Sequence, residues 1–237
     1  SLERPVALPE QDLADTLAER RIAGEPLAYI LGRSEFYGHE FGVGPGVLVP
    51  RQETELLVDA VLEFVSTSSL RRPLIVDVGT GSGAIAIAVA KALPDATVFA
   101  TDVSDDALKI AEANALSLDV QDAVHLLQGD LLEPLPGPVD IIVSNPPYLT
   151  TAELAGLTSE VKCEPETALD GGRDGLAAIS ELMRQVAGLV QQPRLLAIEI
   201  ASSQLESVVL MAQGLFPDNE VTYLLDLAGL PRVVRVL

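Results

Sequence analysis

Four consecutive residues, Asn145-Pro146-Pro147-Tyr148, combine types that can hold a polar group in one orientation. They follow the apolar run "VDIIVS", residues 139–144, which reads as a buried strand. Adjacent prolines fix two φ angles and remove two backbone donors, and Pro147 keeps Pro146 extended. The Pro146 carbonyl therefore points in a fixed direction. Asn145 adds a side-chain carbonyl as a second acceptor, and Tyr148 offers a flat face. Two fixed acceptors match the two hydrogens of a planar NH₂, either an amide or the exocyclic amine of a base. Such a nitrogen is a poor nucleophile because its lone pair is delocalised. Holding both hydrogens aligns that lone pair with an electrophilic methyl. The catalysis would come from orientation and fixed electrostatics, with no general base acting first.

A second group of residues could supply that methyl. "VDVGTGSGAIAIAVA", residues 76–90, reads as a strand, a glycine turn and a helix, the first βα turn of a nucleotide-binding sheet. Gly79, Gly81 and Gly83, with Thr80 and Ser82 between them, permit a tight turn and close approach of a ligand to the backbone. The spacing is G-x-G-x-G, not the G-x-G-x-x-G that cradles a pyrophosphate. It suits S-adenosylmethionine, which has no phosphate. Asp102 closes the next strand, "FATD", where an acidic residue accepts from ribose hydroxyls. Ser104 is the better N-cap for the helix from Asp105, which leaves Asp102 free. In "QGDLLE", Asp130 is placed to accept from the adenine amine and Leu131 to pack on the ring.

These turns need a scaffold that brings them to one edge. Strands are expected at 74–78, 97–101, 123–127, 139–144, 195–200, 220–225 and 231–236, and helices near 83–92, 105–118, 175–190 and 203–213. Alternating apolar strands and helices predict an α/β fold with a mostly parallel sheet covered on both faces. The last two strands are joined by the short "DLAGLP", too short for a crossover helix, so one of them should run antiparallel. Upstream, residues 10–23 read as a helix broken by "GEP", Ser34–Pro50 as a β-hairpin, and the stretch after Arg51 as another helix.

Composition limits the partners. The net charge is −20, with 15 Lys and Arg against 35 Asp and Glu, which argues against tight binding to a phosphate backbone. The excess either keeps the protein soluble or matches a basic partner surface. Cys163 is the only cysteine, and His39 and His125 sit in no metal-binding pattern, so no metal is expected. No apolar run is long enough to span a membrane, and a reducing cytoplasm is the default location.

The order of GTGSG, TD, GD and NPPY resembles that of class I S-adenosylmethionine-dependent methyltransferases of the amino-methylating type. Within that group, "RRIAGEPLAYILGRSEFYG", "VLVPRQETELLV", "EPETALDGGRDGL" and "DLAGLPRVV" resemble the release-factor glutamine methyltransferases, and the likeness runs from about Arg20 to the end. The resemblance implies a Rossmann-like, seven-stranded, mostly parallel sheet with one antiparallel strand. It divides the chain into 1–25, a remnant of an N-terminal helical domain, 26–50, a β-hairpin linker, and 51–237, the methyltransferase domain. It implies S-adenosylmethionine as cofactor, S-adenosylhomocysteine as product and no metal. Gly79 to Gly83, Asp102 and Leu131 would contact the cofactor, and Asn145 both cofactor and substrate. Asn145, Pro146, Pro147 and Tyr148 would hold the glutamine amide of the Gly-Gly-Gln loop of a peptide-chain release factor, with Arg51, Glu53 and Glu55 shaping the wall. The chain departs from the family in reading "EIASSQ" for "EIG..Q" after the fifth strand, and "QQP" for a Gly-Gly turn before it. The residues alone say only NH₂ methylation. A nucleic-acid adenine or cytosine methyltransferase would use the same clamp, and a binding protein could sense the cofactor without turning it over.

Overall fold

The computed structural model describes residues 8–237. The chain opens with helix α1 (Leu8–Ile22), a short helix α2 (Leu27–Leu31) and a hairpin of β1 (Arg33–Phe36) and β2 (His39–Gly42). The hairpin is shorter than expected. Beyond Gly42 the residues to Pro50 form an irregular strap, because Gly44, Pro45 and Gly46 interrupt any pleat. Helix α3 (Glu55–Thr67) follows a 3₁₀ turn at Gln52–Thr54. Then come β3 (Leu74–Val78), α4 (Ala84–Ala92), β4 (Thr97–Asp102), α5 (Asp105–Ser117), β5 (Val124–Gln128), β6 (Ile141–Ser144) and the one-turn helix α6 (Thr151–Ala155). The chain ends with α7 (Ala177–Ala187), β7 (Leu195–Glu199), α8 (Leu205–Leu215), β8 (Val221–Leu225) and β9 (Pro231–Val236).

The seven-stranded sheet has the order β5-β4-β3-β6-β7-β9-β8. Strands β3 to β7 pair in parallel, and β9 runs antiparallel to both β7 and β8, as the short final connection requires. Side chains on a strand alternate between faces, and the two halves of the core follow that alternation. Ile75, Ile141, Val143, Leu195 and Ala197 face α3 and α4, while Val76, Val78, Ile142, Leu196 and Ile198 face α7 and α8. The core is aliphatic, as a chain without tryptophan must make it.

From β3 the chain winds outward through β4 and β5, then returns to place β6 on the other side of β3. The carboxyl ends of β3 and β6 therefore flank the point where strand order reverses, where open α/β sheets bind ligands. The glycine turn and the Asn-Pro-Pro-Tyr segment leave these two strand ends.

Candidate active site

A cleft of about 250 Å³ opens at this switch point. Its floor is the glycine turn. Gly79, Gly81 and Gly83 have φ of +74°, +56° and +81°, the left-handed region that glycine tolerates best. At Gly79 and Gly81 a Cβ would meet nothing within 4 Å, so backbone faces open space. Gly83 differs. It caps α4, lies off the cleft wall, and a Cβ there would sit 2.9 Å from Ile87 Cδ1 and 3.1 Å from Ala111 Cβ. Its lack of a side chain serves the packing of α4 against α5.

Thr80 and Ser82 line the cleft. The Thr80 hydroxyl donates to Asp77 Oδ2 at 2.6 Å, and Ala86 N donates to the same oxygen at 3.2 Å. Burial raises the Asp77 carboxyl to about 7 despite these bonds. Asp102 is on the wall, but it is not idle: Gly81 N donates to Oδ2 and Ser104 N to Oδ1, both at 2.9 Å. Each oxygen keeps a lone pair. Ser104 caps α5 by accepting from Ala107 N, as expected. Asp130 and Leu131 also line the cleft, Leu131 at φ +47°, a conformation that costs a branched residue about 1–2 kcal/mol.

Asn145 and Pro147 form the opposite wall. Asn145 Nδ2 donates to the Thr54 hydroxyl at 3.1 Å. Among the described residues no donor reaches Asn145 Oδ1 or the Pro146 carbonyl. The Pro146 ring is buried and Tyr148 is not on the cleft wall. The Tyr148 ring packs in the α7–α8 half of the core, and its hydroxyl donates to Glu199 Oε1 at 3.4 Å. Burial and the Glu199 charge raise the phenol pKa. The ring is thus partly buried against the protein interior.

Arg51 lines the cleft and pairs with the buried Glu164 at 2.6 Å. Desolvation raises the Glu164 carboxyl, and Arg51 works against that shift. Glu53 and Glu55 do not reach the cleft. They line a separate acidic hollow with Asp59 and Asp226, and Glu55 accepts from Tyr37 N at 2.7 Å.

Several supporting residues escaped sequence reasoning. Thr54, buried beneath Asn145, is one; Glu199 at the end of β7 is another. The segment "ALDGGRDGL" forms a shelf under the Asn-Pro-Pro-Tyr turn. Leu149 N donates to Leu169 O, Gly171 N to Leu149 O, and Gln204 Nε2 to both Tyr148 O and Gly175 O. A Cβ at Gly171 would lie 2.8 Å from Pro147 O, and one at Gly175 2.4 Å from Tyr148 O. The strap also contributes, through Gly46, Val47, Leu48 and Pro50 on the wall. Buried Asn114 ties it down by bonding Gly42 N, Gly42 O and Ser82 O.

The chain superposes on a methyltransferase from Pyrococcus furiosus with a TM-score of 0.60 at 17% identity, covering 95% of this chain and 97% of that one. The hMettl16 catalytic domain, solved with an RNA hairpin of the MAT2A 3′UTR, gives 0.69 at 16% identity, covering 100% and 85%. At these identities the likeness speaks for the fold. Fold and cleft together define a class I methyltransferase. The methyltransferase small domain family matches residues 52–171. A release factor glutamine methyltransferase of Moorella thermoacetica is 46% identical over 242 residues, covering 98% of this chain and 85% of that protein. One from Gloeobacter violaceus is 43% identical over 214 residues, covering 88% and 73%. The chain belongs to the release factor glutamine methyltransferase family.

Proposed function

We propose that this chain transfers a methyl group from S-adenosylmethionine to the side-chain amide nitrogen, N5, of the glutamine in the Gly-Gly-Gln loop of a peptide-chain release factor. The observation that carries the reading is Asn145: Thr54 holds its NH₂ end, so its oxygen is left as an acceptor on the cleft wall beside the unengaged Pro146 carbonyl. These two oxygens take the two amide hydrogens of the substrate glutamine. The amide plane is then fixed and its nitrogen lone pair stands free. When bound, S-adenosylmethionine supplies an electrophilic methyl on a sulfonium sulfur and leaves as S-adenosylhomocysteine. The N–C bond forms as the S–C bond breaks, and the methylated nitrogen, now strongly acidic, gives its proton to water.

The open backbone at Gly79 and Gly81 fits a ligand that must approach closely. The remaining Asp102 lone pairs would take ribose hydroxyls, and Asp130 and Leu131 would flank the adenine. Thr80 and Ser82 complete the turn, and Arg51 borders the substrate side. No group of His, Cys, Asp and Glu among the described residues could hold a metal ion, and the chemistry asks for none. The −20 charge favours a basic protein surface over a nucleic-acid backbone as partner. Among the described residues no helix is long and apolar enough to cross a membrane.

The test is transfer from labelled S-adenosylmethionine to a purified release factor and to duplex DNA side by side, with the labelled residue located by mass spectrometry. Label on the glutamine of the Gly-Gly-Gln loop is expected. Label on DNA would overturn the reading.

A further inference from the structure

Helix α5 backs two walls of the cleft with one stripe of side chains. Ala107, Ala111 and Asn114 lie on the same face of the helix and are all buried. Ala107 lines the cleft and packs with Val43, Val47 and Val49 of the strap. Ala111 lies under Gly83, at the end of the glycine turn. Asn114, 3% exposed, joins the two walls. Its Oδ1 accepts from Gly42 N at 2.7 Å, and its Nδ2 donates to Gly42 O at 2.9 Å and to Ser82 O at 2.8 Å. Gly42 ends β2 and roots the strap, and Ser82 belongs to the glycine turn. A carboxamide matches this demand, with an oxygen for one N–H and two hydrogens for two carbonyls. Asparagine is otherwise a poor choice for a helix interior.

The strap depends on such a tie. Phe36 and Phe41 seat the hairpin in the main core, whereas Val43, Val47 and Val49 form a separate small cluster with Tyr29 and Ala107. Val43 N donates to Gly32 O at 3.1 Å, and the Tyr29 hydroxyl donates to Val47 O at 2.5 Å. A Cβ at Gly46 would lie 3.8 Å from Asp106 Cβ, so the strap crosses beside the first turn of α5, which follows Asp102. We propose that Asn114 is a positioning residue for cofactor capture: its buried amide fixes the strap against the glycine turn and thereby sets how firmly the cleft holds S-adenosylmethionine. The inference rests on the cofactor part of the reading above and not on the identity of the methyl acceptor.

Asn114→Leu, which keeps the volume and loses every hydrogen bond, tests this in the full chain with S-adenosylhomocysteine as probe. Affinity by calorimetry should weaken at least about 10-fold, the scale on which unpaired buried polar groups act, and mostly through faster dissociation. On release factor, KM for S-adenosylmethionine should rise by a similar factor, while kcat at saturating cofactor stays within about 3-fold of wild type. Hydrogen exchange should quicken at the Val43 and Val47 amides by more than at Val76 and Ile142 in the central strands. Leu195→Ala, buried at the amino end of β7 and away from the cleft, should lower Tm without changing S-adenosylhomocysteine dissociation, which separates a tie across the cleft from lost stability alone. Tyr29→Phe cuts the pin on Val47 and should weaken binding in the same direction, by about 3-fold. In wild type, S-adenosylhomocysteine should slow exchange at Val43 and Val47. Wild-type affinity in Asn114→Leu, strap exchange that rises no more than that of the central strands, or an equal loss of affinity in Leu195→Ala would each overturn the proposal. Should Asn114→Leu not fold, wild-type affinity in Tyr29→Phe or unchanged strap exchange in wild type on adding the probe would overturn it. Failure of wild type to bind S-adenosylhomocysteine would overturn the cofactor reading and this proposal with it. Failure to methylate the release factor would overturn the substrate reading alone, and the binding and exchange measurements would still judge Asn114.

Discussion

Asn145 and the glycines of the first turn show how far a single residue's type reveals its work. The acceptor role proposed for Asn145 is suggested by its place after a strand and before two prolines. Its partner Thr54 is not, because 91 residues separate them and only the return of β6 beside β3 brings them together. The three glycines look alike in sequence and do different things. Gly81→Ala adds a methyl group in open space at φ +56°. The strain costs about 1–2 kcal/mol, and the loss should show mainly as weaker cofactor binding, at least about 10-fold by calorimetry. Gly83→Ala drives a methyl group into Ile87 and Ala111. Overpacking added to strain should lower stability by about 2–4 kcal/mol, read as a drop of roughly 5–10 °C in Tm, with cofactor affinity retained at temperatures where the protein is folded. Tyr148 shows what no local pattern reveals: the ring packs partly buried against the core, with its hydroxyl toward Glu199.

Elements decide whether the Asn-Pro-Pro-Tyr turn stays where it is. The strands, the crossover helices and the antiparallel end of the sheet were legible from apolar periodicity and from the short connection after β8. The shelf and the strap were not, since "ALDGGRDGL" and residues 43–50 have no period to read. Their logic lies in close approach. Gly175 has φ +75° and leaves no room for a side chain against Tyr148 O. Gly175→Ala should push the turn out of place and lower kcat at least about 10-fold, because sub-ångström misplacement is felt at a reacting centre, while cofactor affinity changes little. Gly188→Ala, where the nearest atoms are 3.5 Å away, should change neither and serves as the control. Gln204 holds the turn and the shelf together through two carbonyls. Gln204→Ala leaves both short of a donor and should destabilise the protein by about 2–3 kcal/mol, measured by urea unfolding. The departure from the family pattern in "EIASSQ" leaves this glutamine in place.

At the scale of the whole molecule, the buried carboxyls set the response to pH. Burial raises Asp77 from its ordinary 3.8 and Glu199 from 4.5, each to about 7. In that window the folded chain binds more protons than the unfolded one, so stability falls as pH rises and levels off above about 7. The −20 charge acts in the same direction through self-repulsion, and salt screens it. Below the window the paired carboxylates Glu25 and Asp226, lowered by Arg20 and Arg232, give the opposite slope. Thermal unfolding should therefore be highest near pH 5 and lower at pH 7.5. Asp77→Asn should flatten the difference, and added salt should raise Tm more at pH 7.5 than at pH 5. A Tm that climbs from pH 5 to 7.5 would contradict this account.

The central claim is that Asn145 clamps a planar NH₂ and does little for cofactor binding. The most direct measurement is the Asn145→Ala variant, with S-adenosylmethionine affinity taken by calorimetry and single-turnover methylation of a release factor followed by mass spectrometry. The account expects an affinity within about 5-fold of wild type and a transfer rate lower by at least about 100-fold, the scale of losing one preorganised group at the reacting centre. Wild-type transfer by that variant, or a loss explained by cofactor binding alone, would contradict it.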